Sequence, residues 1–202
     1  MDLISIIVPV LNEAAALPVC LQALQSLRRQ DCELLVVDGG STDASVTIAR
    51  TLADRVLSTP AGRAVQMNAG AQVAHGDILW FLHGDSLPPP DAAASIRVAL
   101  VESNRCWGRF DVRLSGNRPL LRIVETLMNR RSRLTGIATG DQGIFVRRWA
   151  FAQVGGYPAI PLMEDIALSR ALKRLSRPVC LCQHLLTSSR RWEQQGIWKT
   201  IF

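Results

Sequence analysis

Three short, almost wholly apolar runs, each cut off by a polar cluster, constrain this chain more than any other feature. Ser5-Ile6-Ile7-Val8-Pro9-Val10 runs into Asn12-Glu13, and Leu34-Leu35-Val36-Val37 into Asp38-Gly39-Gly40-Ser41. Asp77-Ile78-Leu79-Trp80-Phe81-Leu82 runs into His83-Gly84-Asp85. Runs of this length rich in β-branched residues read as buried strands. Between them, Leu17, Cys20, Leu21, Leu24 and Leu27 recur at helical spacing, so residues 14–29 predict an amphipathic helix. Residues 44–53, 63–74 and 91–101 predict further helices, and 56–58 a short strand. Strands alternating with helices imply a Rossmann-like, mainly parallel sheet with helices on both faces. Such sheets bind ligands beyond the carboxyl ends of their strands, which is where all three polar clusters fall.

After residue 104 the pattern loosens. Trp107 to Leu114 alternates weakly, like an edge strand, and 143–146 predicts another strand. Residues 118–134 form a helix with Arg118, Arg122, Arg130, Arg131 and Arg133 around Leu120, Leu121, Val124, Leu127 and Met128. A short helix stops at Gly155-Gly156, and a last helix covers 163–175. No repeat or linker interrupts the chain, so 202 residues predict one domain. Within it, 1–103 would be the nucleotide-binding half and 104–202 the acceptor-binding half.

Charge separates the same two halves. Residues 1–100 hold six arginines and ten acids, whereas residues 101–202 hold most of the Lys and Arg behind the net charge of +6. That excess is either a solvated basic surface or a means of attracting diphosphates, anionic lipid or an acidic acceptor. Nucleic acid is disfavoured, because stacking aromatics do not interleave with the basic residues. No secretory signal and no apolar run of about 18 residues is visible, which predicts a cytoplasmic protein with reduced cysteines. The apolar end, Gly196 to Phe202, fits either a truncated chain or a membrane-contacting tail.

The chemistry must come from side chains at strand ends, since no G-x-G-x-x-G follows a strand and no P-loop or H-E-x-x-H is present. Asp38 either accepts hydrogen bonds from a base or ribose or closes an Asx-turn before the next helix. Asn12 and Glu13 are open to the same two readings, as ligand contacts or as a helix cap and first-turn acid. Asp85 is a hard oxygen ligand for Mg²⁺ or Mn²⁺, and His83 a second ligand or a phosphate donor. Glu164-Asp165 opens the last helix, as dipole partners or as a general base.

In order along the chain, these pieces resemble the GT-A fold glycosyltransferases of family 2, in particular compact bacterial members. The resemblance covers about residues 4–195. It rests on Ile7 to Glu13, on Val36 to Asp43, and on Gly62-Arg63-Ala64-Val65-Gln66-Met67-Asn68 with the residues up to Ala71. It continues through Ile78 to Asp85, Gly140-Asp141-Gln142-Gly143 to Arg148, and Met163-Glu164-Asp165 to Leu168. It implies that Pro9, Asn12, Glu13 and Asp38 contact the base and ribose of a nucleotide, often UDP. Arg63 and Gly84 would lie near nucleotide and phosphates, and Asp85 would match the last Asp of the family's Asp-x-Asp metal motif. Asp165, beside Glu164, would be the catalytic base of an inverting displacement from a nucleotide-sugar donor. His83 stands where the motif has its first Asp. Arg190-Arg191-Trp192 is similar to the Gln-x-x-Arg-Trp motif of processive synthases, but Ser188 replaces its Gln, which argues against polymerisation. The two arginines would hold diphosphate, and Trp192 would either support an acceptor sugar or pack into the core.

Two rival readings stand beside this one. A nucleotidyltransferase would carry a glycine-rich, Arg-containing loop after its first strand, a place held here by Pro9 to Glu13. A degenerate transferase would bind nucleotide or membrane without turnover. The basic, amphipathic 118–134 either packs on the sheet or lies on anionic lipid, giving peripheral membrane contact at the inner face and access to a lipid-linked acceptor.

Overall fold

The computed structural model describes residues 2–189. Among the described residues, seven strands form one sheet in the order β3-β2-β1-β4-β6-β5-β7. They are β1 (Ile4–Val10), β2 (Cys32–Asp38), β3 (Arg55–Ser58), β4 (Ile78–Phe81), β5 (Trp107–Leu114), β6 (Phe145–Arg147) and β7 (Val179–Thr187). β1 pairs in parallel with β2 and β4, and β2 with β3. β6 is antiparallel to both neighbours, and β5 and β7 are parallel. The sheet is therefore mixed and mostly parallel, and it draws strands from both halves of the chain.

Side-chain alternation along β1 assigns its two faces. Ile4, Ile6, Val8 and Val10 face a core built with α1 (Leu17–Arg28) and α4 (Ala92–Glu102). Ile7 faces the opposite core, where α3 (Arg63–Val73), α6 (Arg148–Gln153) and α7 (Glu164–Leu172) pack. α3 lies so close to β1 that a Cβ on Gly70 would sit 2.5 Å from Ile7 Cγ2. α2 (Ser45–Leu52) joins β2 to β3, and Ile48 and Leu52 pack on the first core.

The expected elements of the first half are present, with ends displaced by a few residues. α1 starts at Leu17 rather than 14, with Pro18 in its first turn, where a missing N–H costs nothing. The second half needs two corrections. The 107–114 strand is not at the edge: β5 lies between β6 and β7, and even Arg109 and Asp111 are buried there. Its polar residues look outward-facing in sequence, but Arg109 pairs with Asp111 and donates to Ser132, and Asp111 also pairs with Arg133. The edge on this side of the sheet is β7, whose mixed run of Cys180, Cys182, Gln183 and His184 gave no strand signal.

β6 covers only Trp107 and Gly108 of β5. Beyond them α5 (Pro119–Thr135) replaces a strand. Asn129 accepts the N–H of Val112 and donates to its carbonyl, Glu125 accepts the N–H of Leu114, and Arg122 donates to the Leu114 carbonyl. The polar residues of this helix thus satisfy strand backbone that would otherwise be unpaired.

Candidate active site

The carboxyl ends of β1 and β2 are bound together by loop contacts. Asn12, at φ 54°, accepts the N–H of Thr42 through Oδ1 at 2.8 Å, and its own N–H donates to Ser41 Oγ. Glu13 N–H donates to Ser45 Oγ and Ala14 N–H to Asp43 Oδ2. The hydroxyl and backbone N–H of Ser45, then the N–H of Ala14, hold the Asp43 carboxyl below its ordinary pKa. Asp38 is buried, and its carboxylate accepts the N–H groups of Gly40 and Ser41. The Asx-turn is therefore real, yet a carboxylate has about four lone-pair sites, so capacity remains for a ligand.

Beneath these loops lies a residue that the strand-end reasoning passed over. Gln66, buried on α3, donates through Nε2 to the carbonyls of Val10 at 2.9 Å and Val37 at 2.8 Å. One amide thereby ties the last residues of β1 and β2, just before Leu11-Asn12 and Asp38. A Cβ on Gly39 would sit 3.0 Å from Gln66 Cδ, so a side chain there would press on the same amide. A glutamine on the buried face of a small-residue helix was the available signal. Pro9 pairs in register with Val37, and Arg63 stands exposed at the first turn of α3 with no acidic partner among the described residues.

The third cluster divides its residues between two sides. Gly84 is buried against Leu17 and Val10. Asp85 Oδ1 accepts the hydroxyl of Thr187 at 3.5 Å, and its charge is matched by no cation among the described residues. His83 turns the other way: Nδ1 lies 3.2 Å from Asp141 Oδ1, and Nε2 faces Gly140, where an added Cβ would approach to 2.6 Å. Gly140 N–H donates to Asp165 Oδ2 at 2.5 Å, while Asp165 Oδ1 accepts the N–H of Ile166 at 2.7 Å. A small cavity is lined by Met67, Phe81, His83, Tyr157, Glu164 and Asp165 among others. Burial, then the charges of Asp165 and Glu164, push the Tyr157 phenol well above its ordinary pKa. That hydroxyl therefore stays protonated beside the two acids.

Among the described residues no three His, Cys, Asp or Glu side chains cluster into a self-contained metal site. What is present is the Asp85 carboxylate at a strand end, while the ring of His83 faces Asp141 and Gly140 rather than Asp85, so the expected second ligand is turned away. Such a donor set fits a hard cation completed by substrate oxygens and water, not a structural metal. Arg190, Arg191 and Trp192 lie outside the described residues.

The sheet, with its polar clusters at the strand ends, has the GT-A fold. The model of Glycosyl transferase family 2 matches residues 5–152, and the chain belongs to that family. A PGL/p-HBAD biosynthesis glycosyltransferase of Mycobacterium bovis is 34% identical over 165 residues, covering 76% of this chain and 62% of the relative. An undecaprenyl-phosphate 4-deoxy-4-formamido-L-arabinose transferase of Pseudomonas fluorescens is 31% identical over 163 residues, covering 72% of this chain and 46% of the relative. The chain thus spans less than two thirds of the length of either curated relative. A Pyrobaculum calidifontis mannosyltransferase, solved with GDP-Man and Mn²⁺, superposes with a TM-score of 0.72 at 22% identity, over 92% of this chain and 56% of that one. That likeness is one of fold.

Proposed function

We propose that this chain transfers a sugar from a nucleoside-diphosphate donor, a UDP-sugar first among candidates, to an acceptor hydroxyl with inversion at the anomeric carbon. One observation carries the reading: the His83-Gly84-Asp85 turn reaches the Asp165 side through Gly140 while Asp85 stands apart beside Thr187. A base and a charged diphosphate contact at the two sides of one turn are what a direct displacement needs.

In this reading Asp38, Asn12, Glu13 and Pro9 seat base and ribose, and Arg63 and Gly84 flank the phosphates. The acceptor oxygen forms its bond to the anomeric carbon as its proton passes to Asp165 and the bond to the diphosphate breaks. Two backbone N–H groups fix the Asp165 carboxylate, and each of its oxygens keeps a further lone pair for that proton. Glu164 holds the negative character of the cavity behind it. Asp85 would hold Mn²⁺ or Mg²⁺ together with diphosphate oxygens and water, while His83 stays on the Gly140 and Asp141 side of the turn; when bound, that ion offsets the charge of the departing diphosphate. The name of the Pseudomonas relative, an undecaprenyl-phosphate transferase, supports a lipid-linked acceptor. Among the described residues no helix is long and apolar enough to cross a membrane.

A thermal-shift screen of UDP-, GDP- and dTDP-sugars with Mn²⁺ identifies the donor. With that donor, Asp165→Asn should lower sugar transfer by about 10²–10⁴-fold while nucleotide affinity stays near wild type. Unchanged turnover would remove Asp165 as the base. Calorimetric titration of UDP with and without Mn²⁺ should show tighter binding with metal in wild type and no such gain in Asp85→Ala.

A further inference from the structure

Helix α5 carries its polarity the opposite way from a helix resting on a core. Its inward side gives Arg122, Glu125 and Asn129 to the backbone of β5, together with the small apolar contact of Leu121 and Val124. Its outward side exposes Leu120 (38%), Ile123 (56%), Leu127 (59%) and Leu134 (79%). At about 100° per residue these four, with Arg130 and Arg131, fall on one arc about 100° wide, opposite Arg122, Glu125 and Asn129. Both arginines are exposed, and neither forms an ion pair among the described residues. Glu125, the helix's one acid, faces inward.

A continuous apolar stripe left in water marks a contact surface. Its charges select the occupant. A second copy of the chain would bring two pairs of arginines together, whereas an anionic bilayer supplies apolar depth under the leucines and phosphates at their flanks. We propose that the outward face of α5 docks the protein on an anionic lipid surface. Ile123, Leu127 and Leu134 enter the boundary between headgroups and acyl chains, and Arg130 and Arg131 meet lipid phosphates. The helix is capped by Gly136, four residues before the Gly140 whose N–H holds Asp165, so the docked element runs directly into the loop that positions the base. The exposed Leu162 and Met163 immediately precede Glu164, which lines the cavity. The inference extends the transfer reading and stands or falls separately from it.

Flotation of the full chain with phosphatidylcholine vesicles, with and without phosphatidylglycerol, tests the docking. Capture by the anionic vesicles alone, weakened by salt, is expected. Ile123→Glu/Leu127→Glu and Arg130→Glu/Arg131→Glu should each lower partitioning by about tenfold or more. All four positions are exposed, and an unchanged melting temperature confirms that the variants fold. Absence of capture, or capture of both variants equal to wild type, overturns the proposal. So does a dimer in light scattering that Ile123→Glu/Leu127→Glu dissolves, which would assign the face to a second copy. UDP titration of wild type without vesicles reports on the transfer reading alone.

Discussion

Asp165 and His83 meet across Gly140: its N–H donates to the Asp165 carboxylate at 2.5 Å, and its bare Cα leaves room for His83 Nε2. An alanine Cβ at this position would stand 2.6 Å from Nε2 and 2.9 Å from Cε1. The imidazole is the end of a side chain, but Asp141 pairs with its other nitrogen and resists its withdrawal. Gly140→Ala should therefore push His83 and Asp165 apart rather than be absorbed. A displacement of this size is expected to lower kcat by about 10²-fold, with UDP affinity little changed. Adding Asp141→Ala frees the ring and should restore part of the loss. Steady-state transfer rates of the single and double variants check this.

Gln66 makes a different prediction, because its amide acts on the backbone that carries the site. Gln66→Leu keeps similar bulk but leaves the Val37 carbonyl without this donor and the Val10 carbonyl with only the Gly39 N–H. Leaving buried acceptors short of partners should cost about 2–3 kcal/mol. For a domain of this size that is a fall in Tm of roughly 5–10 °C. The ends of β1 and β2 should also separate, so UDP should bind more weakly than the stability loss alone explains. A thermal melt paired with calorimetry at a temperature where both proteins are folded separates the two effects.

The contrast between Asp38 and Gln66 shows what the sequence makes legible. Asp38 is visible because it interrupts an apolar run at a strand end, a local pattern readable within seven residues. Gln66 matters through contacts to Val10 and Val37, which are distant in sequence. The parallel half of the sheet was readable for the same local reason. In the 104–189 half most elements were readable too, but the internal place of β5 and the strand β7 were not, because β5 hides charged residues by pairing them with α5 and β7 breaks its apolar run with polar residues. The expected pairing of His83 with Asp85 follows from spacing along a strand, whereas the contact of His83 with Asp141 depends on the 3-10 turn Gly140–Gln142. That turn was visible in the sequence only as the Gly140-Asp141-Gln142-Gly143 piece of the resemblance, with nothing to show that Asp141 meets His83.

Glu33 fastens the opposite end of the sheet and should make stability acid-sensitive. Burial alone would raise its pKa, but the hydroxyl of Ser5, the N–H of His75 and the ring of His75 outweigh it and hold it below 4.5. A carboxyl lowered on folding stabilises the native state above its unfolded pKa, and the contribution disappears as pH falls through the folded value. Glu33→Gln should cost about 1–2 kcal/mol near pH 7. The difference from wild type should narrow below about pH 4.5, where the unfolded chain takes up its proton. Urea melts across that range would show two curves converging in acid; parallel curves would mean the charge contributes nothing.

The five cysteines differ enough in setting to be told apart by alkylation. Cys20, Cys32 and Cys106 are buried, whereas Cys182 is exposed on the edge strand and Cys180 half-buried. Burial and then the charge of Asp85 push the Cys20 thiol up to about 12, and burial pushes Cys32 up to about 11 despite Arg97 beside it. Because the thiolate is the nucleophile, both should be inert in the folded protein at neutral pH. Brief iodoacetamide treatment followed by peptide mass analysis should mark Cys182 first and Cys180 more slowly, leaving the other three unlabelled until the chain is denatured. Cys20 also reports on the site above it, since its Sγ donates to the His83 carbonyl at 3.7 Å. If Gly140→Ala displaces the His83 turn as argued, Cys20 should become reactive in that variant while Cys32 and Cys106 stay protected. Equal protection of all three would mean that the strain is relieved by the ring alone and never reaches the strand end.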